Sequence, residues 1–324
     1  GNLKVTGSPI EIGGKVQAQK TSGSDGEADL TFAYRPEAGE AGIDLAFSEA
    51  ANGLLAGILN LPDKPSTAIR ISGQGPLSNW QVDAGAEVGG EAVLDLAGSA
   101  GIDGSDTRLS LNGSGFPEKL SPPAYRDLLA GRMQIDLAAQ RDGNGRIEVQ
   151  TAKLDFGKFF AAATGTFDPE GQNSITGGLS AKQAAINLAG IIPGVDNLAP
   201  KDIAFLIEGS GEAASIEITG DIPLVDAGTV ALVGLRTRLF APSFNLSERT
   251  GNLEIEAELS EARSDNEQLA KLLQGATYLS VNGMAEGERI RLQSVEAVNR
   301  GIEASAEGVV ELAPFAIELS PTVT

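Results

Sequence analysis

Apolar and polar residues alternate along most of this chain with the period of two that a half-buried β-strand imposes. The clearest stretch is LEIEAEL at 253–259, where Leu253, Ile255, Ala257 and Leu259 alternate with Glu254, Glu256 and Glu258. A register slip of one residue would turn those carboxylates into the apolar face, at a cost on the order of several kcal/mol each. One face of this strand must therefore be dry. Downstream, TYLSVNG and ERIRLQSVEAV are separated by a polar, Gly-containing turn. GIEASAEGVVEL then sets Ile302, Ala304, Ala306, Val310 and Leu312 against Glu303, Ser305, Glu307 and Glu311. Between these stretches the period changes. In SDNEQLAKLLQG (264–275), Leu269, Leu272 and Leu273 fall on one side of a helix, with Ser264 or Asp265 as N-cap and Gly275 as stop.

The same order of parts recurs upstream. Helix-like pieces are SEAANGLLAGILN (48–60), SPPAYRDLLAG (121–131) and SAKQAAINLAGII (180–192). The four pieces are followed in turn by strand–turn–strand patterns: AIRISGQGPLSNWQVDA, GRMQIDLAAQRDGNGRIEVQT, DIAFLIEGSGEAASIEITG and ATYLSVNGMAEGERIRLQS. Their spacing, about 60 to 85 residues, predicts a degenerate repeat with variable insertions. The expected divisions are 1–47 (partial), 48–120, 121–179, 180–263 and 264–324, within a single extended β-groove segment. Pro62 and Pro65 end the first helix, because proline cannot occupy a helix interior. Pro122, Pro123 and Pro193 are expected to set the ends of the next two, and all four helices to cap the rims of the sheet.

Elsewhere strands dominate. Residues 1–47 contain period-two sets such as Leu30, Phe32, Tyr34 and Ile43, Leu45, Phe47. A meander follows over 81–116: Val82, Ala84, Ala86 and Val88, then Leu94 and Leu96, then Leu109 and Leu111, with turns expected at Gly89–Gly90, from Gly98 to Gly104, and at Asn112–Gly113. It repeats over 132–179 through Met133, Ile135 and Leu137, then Ile147 and Val149, then the dense run KFFAAATGTF. Phe156, Phe159, Phe160 and Phe167 there predict the most filled part of the inner side. TVALVGLRTRLFAPSF (229–244) is apolar on both sides for part of its length, which predicts a strand covered by a helix or a facing wall.

Composition agrees with many short strands and small buried side chains. Of 324 residues 41 are Gly and only 5% are aromatic, and 44 Asp and Glu outnumber 24 Lys and Arg for a formal charge of −20. That field repels phosphate backbones and argues against nucleic acid as a partner. The carboxylates are spread over outward strand positions, as on a solvated face. The absence of Cys and His excludes disulfides, thiolate or imidazole metal sites, and Ser–His or Cys–His catalysis. Paired carboxylates could serve glycoside hydrolysis, but the chain has one Trp and three Tyr for sugar platforms, and an enzyme is not expected. No cofactor is expected either. The spacings Gly98, Gly101, Gly104 and Gly73-Gln-Gly75 do not open a helix after a strand, so they read as turn glycines rather than phosphate loops. Asp142-Gly-Asn-Gly145 reads as a hairpin turn rather than a calcium loop. No apolar run is long enough for a membrane helix, and the chain begins at Gly1 and ends at Thr324 in mid-pattern, as expected for part of a longer protein.

Many antiparallel strands with one apolar face, and few helices to cover it, predict a mainly β fold: a long, repeat-built curled sheet or rolled groove with short amphipathic helices between repeats. A groove lined with Leu, Ile, Val and Ala suits acyl chains, since each exposed CH₂ costs about 0.8 kcal/mol in water. The lining set is Leu94, Leu96, Ile135, Leu137, Ile147, Val149, Ile216, Ile218, Leu253, Ile255, Leu259, Ile290, Leu292, Ile302, Val310 and Leu312. The phrase from Ile69 to Trp80, IRISGQGPLSNW, with the strands VDAGAEVGGEAVLDLAG after it, resembles the translocation and assembly module TamB family, in its alphaproteobacterial form, and more distantly AsmA-type proteins. The resemblance implies a periplasm-spanning β-groove that conducts phospholipid between the inner and outer membranes of a Gram-negative bacterium and supports outer-membrane biogenesis and autotransporter assembly. It also implies an inner-membrane anchor and a region meeting a BAM-like outer-membrane barrel, both outside this segment, and no catalytic residues. The alternative expectation is an extracellular adhesin or passenger array. Against it stand the helices expected between meanders. An outer-membrane barrel is excluded by glutamate-rich outward positions and the lack of aromatic girdles.

Overall fold

Every strand identified in the computed structural model is paired antiparallel with another, as short alternating segments joined by tight turns require. The structure describes residues 1–6, 10–21, 23, 25–183, 185–192, 194–267, 270, 275–300, 303–312 and 315–323. The chain divides into two units, Gly1–Lys158 and Phe159–Thr324.

The first unit is a meander of β1 (Asn2–Thr6), β2 (Glu11–Gln19), β3 (Gly26–Arg35), β4 (Glu40–Glu49), β5 (Thr67–Pro76), β6 (Trp80–Val88), β7 (Glu91–Asp103), β8 (Asp106–Gly115), β9 (Met133–Arg141) and β10 (Ile147–Asp155). Each strand pairs with its sequence neighbour. Directly paired residues share a face. One row across the sheet reads Val16, Leu30, Leu45, Ile71, Ala84, Leu96, Gly113, Ile135, Leu154. The adjacent row on the opposite face reads Lys15, Thr31, Asp44, Ser72, Asp83, Ala97, Asn112, Asp136, Lys153. The alternation in the sequence is thus carried coherently through the unit. In β10 a register shift between Val149 and Thr151 keeps Ile147 and Val149 on the same face as Ala152 and Leu154, although their parities differ.

The second unit contains β11 (Phe159–Phe167), β12 (Asn173–Ala181), β13 (Ile186–Asn187), β14 (Asn197–Ala199), β15 (Asp202–Ser210), β16 (Ala213–Ala227), β17 (Val230–Asn245), β18 (Thr250–Ser264), β19 (Thr277–Glu286), β20 (Arg289–Val298), β21 (Glu303–Leu312) and β22 (Phe315–Val323). The ladder runs β11–β12–β15–β16 and then in sequence order to β22. The far half of the long β16 pairs with β14, which pairs with β13. One row reads Gly177, Phe205, Ile218, Leu239, Ile255, Val281, Val295, Ala306, and its opposite-face neighbour Gly178, Ala204, Thr219, Arg238, Glu256, Ser280, Glu296, Ser305.

The helices delimited among the described residues are shorter than the period suggests. α1 (Leu54–Ile58) and α2 (Pro123–Arg126, opened by Pro122 and Pro123) fall within the first two helix-like pieces. In the third, 180–192, the described residues are not helical. β12 runs to Ala181, and Ile186 pairs with Leu198, so Ile186 and Leu188, two residues apart, are buried by a hairpin instead. This hairpin is appended where β17 is apolar on both sides: Leu232 pairs with Val225 and Ala262, Val233 with Leu224, and Leu198 and Ala199 of β14 continue the two rows. The neighbouring strands and this hairpin, rather than a helix, account for the double-sided apolar run. In the fourth piece Ser264 is the end of β18, and Leu269, Leu272 and Leu273 lie outside the described residues, as does Pro193. Among the described residues no helix is long and apolar enough to cross a membrane.

Several expected turns are strand interiors. Asn112 and Gly113 lie within β8, paired with Ala97 and Leu96, and Gly98 and Gly101 lie within β7, leaving only Gly104 at the turn. Ladder pairing makes these glycines strand residues, and neighbouring backbone, with Leu96 at Gly113, occupies the space a Cβ would need. The phenylalanines of KFFAAATGTF do not fill one side either. Phe159 and Phe167 share the parity of the apolar face, Phe160 pairs with Ser180 on the other, and Phe156 precedes the strand. By contrast, Asp142–Gly145 is a hairpin turn, its Asp142 carboxylate accepting from the N–H groups of Asn144 (2.9 Å) and Arg146 (3.1 Å).

α1 is tied to the sheet by Glu49, the last residue of β4 and only 5% exposed. Its carboxylate accepts from the Leu55 N–H at 2.9 Å and pairs with Lys20 at 3.0 Å. Hydrogen bonds from the Leu54 and Leu55 backbone, with Lys20 adding its charge, hold the Glu49 carboxyl down at about 2, from an ordinary 4.5. The folded form is therefore favoured above the ordinary value, and that contribution is lost as pH falls from about 4.5 to about 2. The protection factors of the Leu54 and Leu55 amides, taken against intrinsic exchange at each pH, are expected to fall across this window, and Glu49→Gln to abolish that pH dependence; unchanged protection factors down to pH 2 would show that Glu49 does not tie the helix.

Candidate functional site

The apolar faces are the surfaces the sequence singles out. In the first unit Leu96 and Ile135 belong to one row through Gly113, and Leu94 sits across from Ala86 and Gly115 on the same face. Leu137 follows Leu111 in the next row, and Val149 follows Ala139 and Leu109. Ile147 shares their face but pairs with Arg141, so it stands at the rim of the apolar surface. In the second unit Ile216, Ile218, Leu253, Ile255 and Leu259 share one face of β16 and β18. Ile290, Leu292, Val310 and Leu312 continue that face through β20 and β21. Ile302 lies outside the described residues.

How deeply these groups are buried decides what the faces can do. Leu253, at 8% exposed, is packed with Ala241 and Ala285, and Ile216, Leu239, Phe244 and Ile290 surround this cluster. Ile218 is 36% and Leu312 48% exposed, and the other described members of the set are intermediate. The fully buried apolar residues among those described are mostly alanines. Face-to-face packing on a second sheet would bury whole rows of Leu, Ile and Val. Here most of these residues are only partly buried, so each apolar face stays partly open.

The opposite faces are polar and charged. In the second unit cross-strand pairs link Arg238 to Glu217 (2.7 Å), Arg289 to Glu311 (2.6 Å) and Arg291 to Glu286 (3.2 Å). The Glu217 hydrogen bond raises the Arg238 guanidinium further, and Phe240 lies beside that guanidinium at 4.9 Å. Hollows in the first unit lie over this polar side. One of about 400 Å³ is lined by Thr31, Asp44, Ser72, Asp83, Gln74 and Gln81 among others, and one of about 500 Å³ at the strand ends by Glu27, Ser48 and Glu87 among others. The expected lining set is therefore a low-relief apolar surface, distinct from these polar hollows.

Aromatic rings set that low relief, a feature the strand pattern alone did not reveal. Phe32 covers Gly14, Trp80 covers Gly73, Phe205 covers Gly177 and Phe244 covers Gly251, each ring occupying the space of the missing Cβ. The sequence signal is a glycine at apolar parity inside a strand, as at Gly73 after Ile69 and Ile71.

No family model, no characterised protein and no solved structure matches the chain.

An open apolar face and a closed core respond differently to truncation. Leu253→Ala is expected to lower the unfolding free energy by about 2–4 kcal/mol, and Ile218→Ala by about 1 kcal/mol, in denaturant titrations. Equal, large losses at both positions would mean that the face is sealed in solution.

Proposed function

We propose that the apolar faces carry phospholipid acyl chains, and that the chain is part of a periplasmic bridge conducting phospholipid between the inner and outer membranes of a Gram-negative bacterium. On this reading it supports outer-membrane biogenesis and protein assembly, its membrane anchor and barrel contact lie in other regions, and no step is catalytic. The observation that carries the proposal is the partly exposed run of aliphatic rows on one face of each unit. Such a surface offers a chain crossing the strands continuous relief from water, about 0.8 kcal/mol for each CH₂ covered. The opposite face, with its carboxylates and ion pairs, stays hydrated and prevents the sheets from associating through it. Shape also fits: a low-relief surface accepts a flexible chain at many positions, whereas a small rigid ligand needs an enclosing pocket.

Photo-crosslinking side chains at Leu96 and Ile255 in the native protein in cells are expected to capture phospholipid, and one at Glu256 to capture none. Ile255→Asp is expected to reduce capture on the order of tenfold, because a carboxylate cannot be desolvated by an acyl chain, while thermal unfolding stays near normal. Glu256→Lys, on the other face, is the control. Absence of lipid from both Leu96 and Ile255 would overturn the proposal.

A further inference from the structure

The segment Ile69–Trp80 brings the chain's single tryptophan onto the apolar face of the first unit. Trp80 opens β6, yet its Nε1–H donates to the carbonyl oxygen of Ala41 in β4 at 3.1 Å. The indole therefore reaches across the intervening β5. It crosses over Gly73, where a Cβ would overlap ring atoms Cζ2 and Cη2. Gly73 is buried beneath it. The ring's one polar atom is thus tied into the sheet, and its carbon surface is laid over the strands and stays partly exposed. Ile43 and Val82, which pair with Gly73, and the preceding Ile71 share that face, and none carries a charge. A cationic headgroup would find no carboxylate among them to neutralise it. Methylene groups would find aliphatic and aromatic surface alone.

We infer that Trp80 is a contact platform for the acyl chain and that Gly73 is its positioning residue, holding the indole down so that the chain can pass over it. The inference rests on the acyl-chain role proposed for this face. It gives the phrase IRISGQGPLSNW a physical purpose, in that the glycine, the turn through Leu77–Asn79 and the tryptophan together build one flat apolar tile spanning three strands.

Because Trp80 is the single tryptophan, the emission of the 324-residue chain reports this position directly. Phosphatidylethanolamine vesicles with mid-chain brominated acyl groups are expected to extinguish most of that emission, and unbrominated vesicles to leave it intact. Gly73→Val, whose side chain takes the ring's place, is expected to lose the quenching while a crosslinker at Ile255 still captures lipid. Capture at Ile255 without quenching of the native Trp80 would overturn this inference and leave the wider proposal standing. Absence of both would overturn the two together. Undiminished quenching in a folded Gly73→Val chain would remove the positioning role of Gly73. Should that variant fail to fold, the measurement on the native chain decides the contact by itself.

Discussion

Antiparallel backbone pairing between neighbouring strands is the constraint on which everything else in this protein depends. A directly paired residue shares its partner's face, so a single correct register between two hairpins propagates an apolar or polar identity from strand to strand. In the first unit the row from Val16 to Leu154 and the row from Lys15 to Lys153 are consequences of this rule. A slip anywhere would set Asp44, Asp83 or Asp136 into the aliphatic row, so misregister is penalised at every strand. The shift in β10 obeys the same demand, restoring Leu154 and Ala152 to the face of Val149 after one residue is bulged out.

Within each unit the apolar face is partly self-covering. Side chains are laid over glycines of neighbouring strands, where a standing Cβ is absent, and each such overlap removes apolar area from water on both partners. Trp80 goes furthest, satisfying its indole N–H on Ala41 while covering Gly73. Alanine serves at the most buried places beside Leu253, at Ala241 and Ala285. What remains exposed is low in relief and aliphatic, which connects the packing to the proposed passage of acyl chains.

The polar faces are specified by a different balance. Cross-strand carboxylate–guanidinium pairs such as Arg238–Glu217 and Arg289–Glu311 are solvent-exposed and add little to stability, but they set opposite charges against one another on neighbouring strands. The net charge of −20 then resides largely on surfaces that water covers, in keeping with the exposure of Glu254, Glu256 and Glu258. Glu49 is the exception. It is withdrawn from water, and the amides of Leu54 and Leu55 with Lys20 replace its hydration.

The mainly β class, and the side residues face where apolar and polar positions alternate strictly, were legible in the sequence, because a period of two is a local property that pairing can only confirm or frustrate. LEIEAEL and the set from Leu94 to Leu137 therefore fall on the sides their alternation indicates. Helix boundaries were not legible where a segment satisfied two periods. The piece 180–192 holds Leu188, Ile191 and Ile192 at helical spacing and Ile186 and Leu188 at strand spacing, and the pairing of Ile186 with Leu198, made only in the folded chain, selected the strand. Glycines were ambiguous for a related reason: Gly98, Gly101 and Gly113 look like turns in isolation, and only their pairing with Leu111, Arg108 and Leu96 makes them strand residues. The openness of the apolar faces was likewise a tertiary outcome. Alternation states which residues seek cover, but whether a second sheet supplies it depends on contacts distant in sequence, and here Ile218 and Leu312 stay exposed because their cover comes from their own sheet.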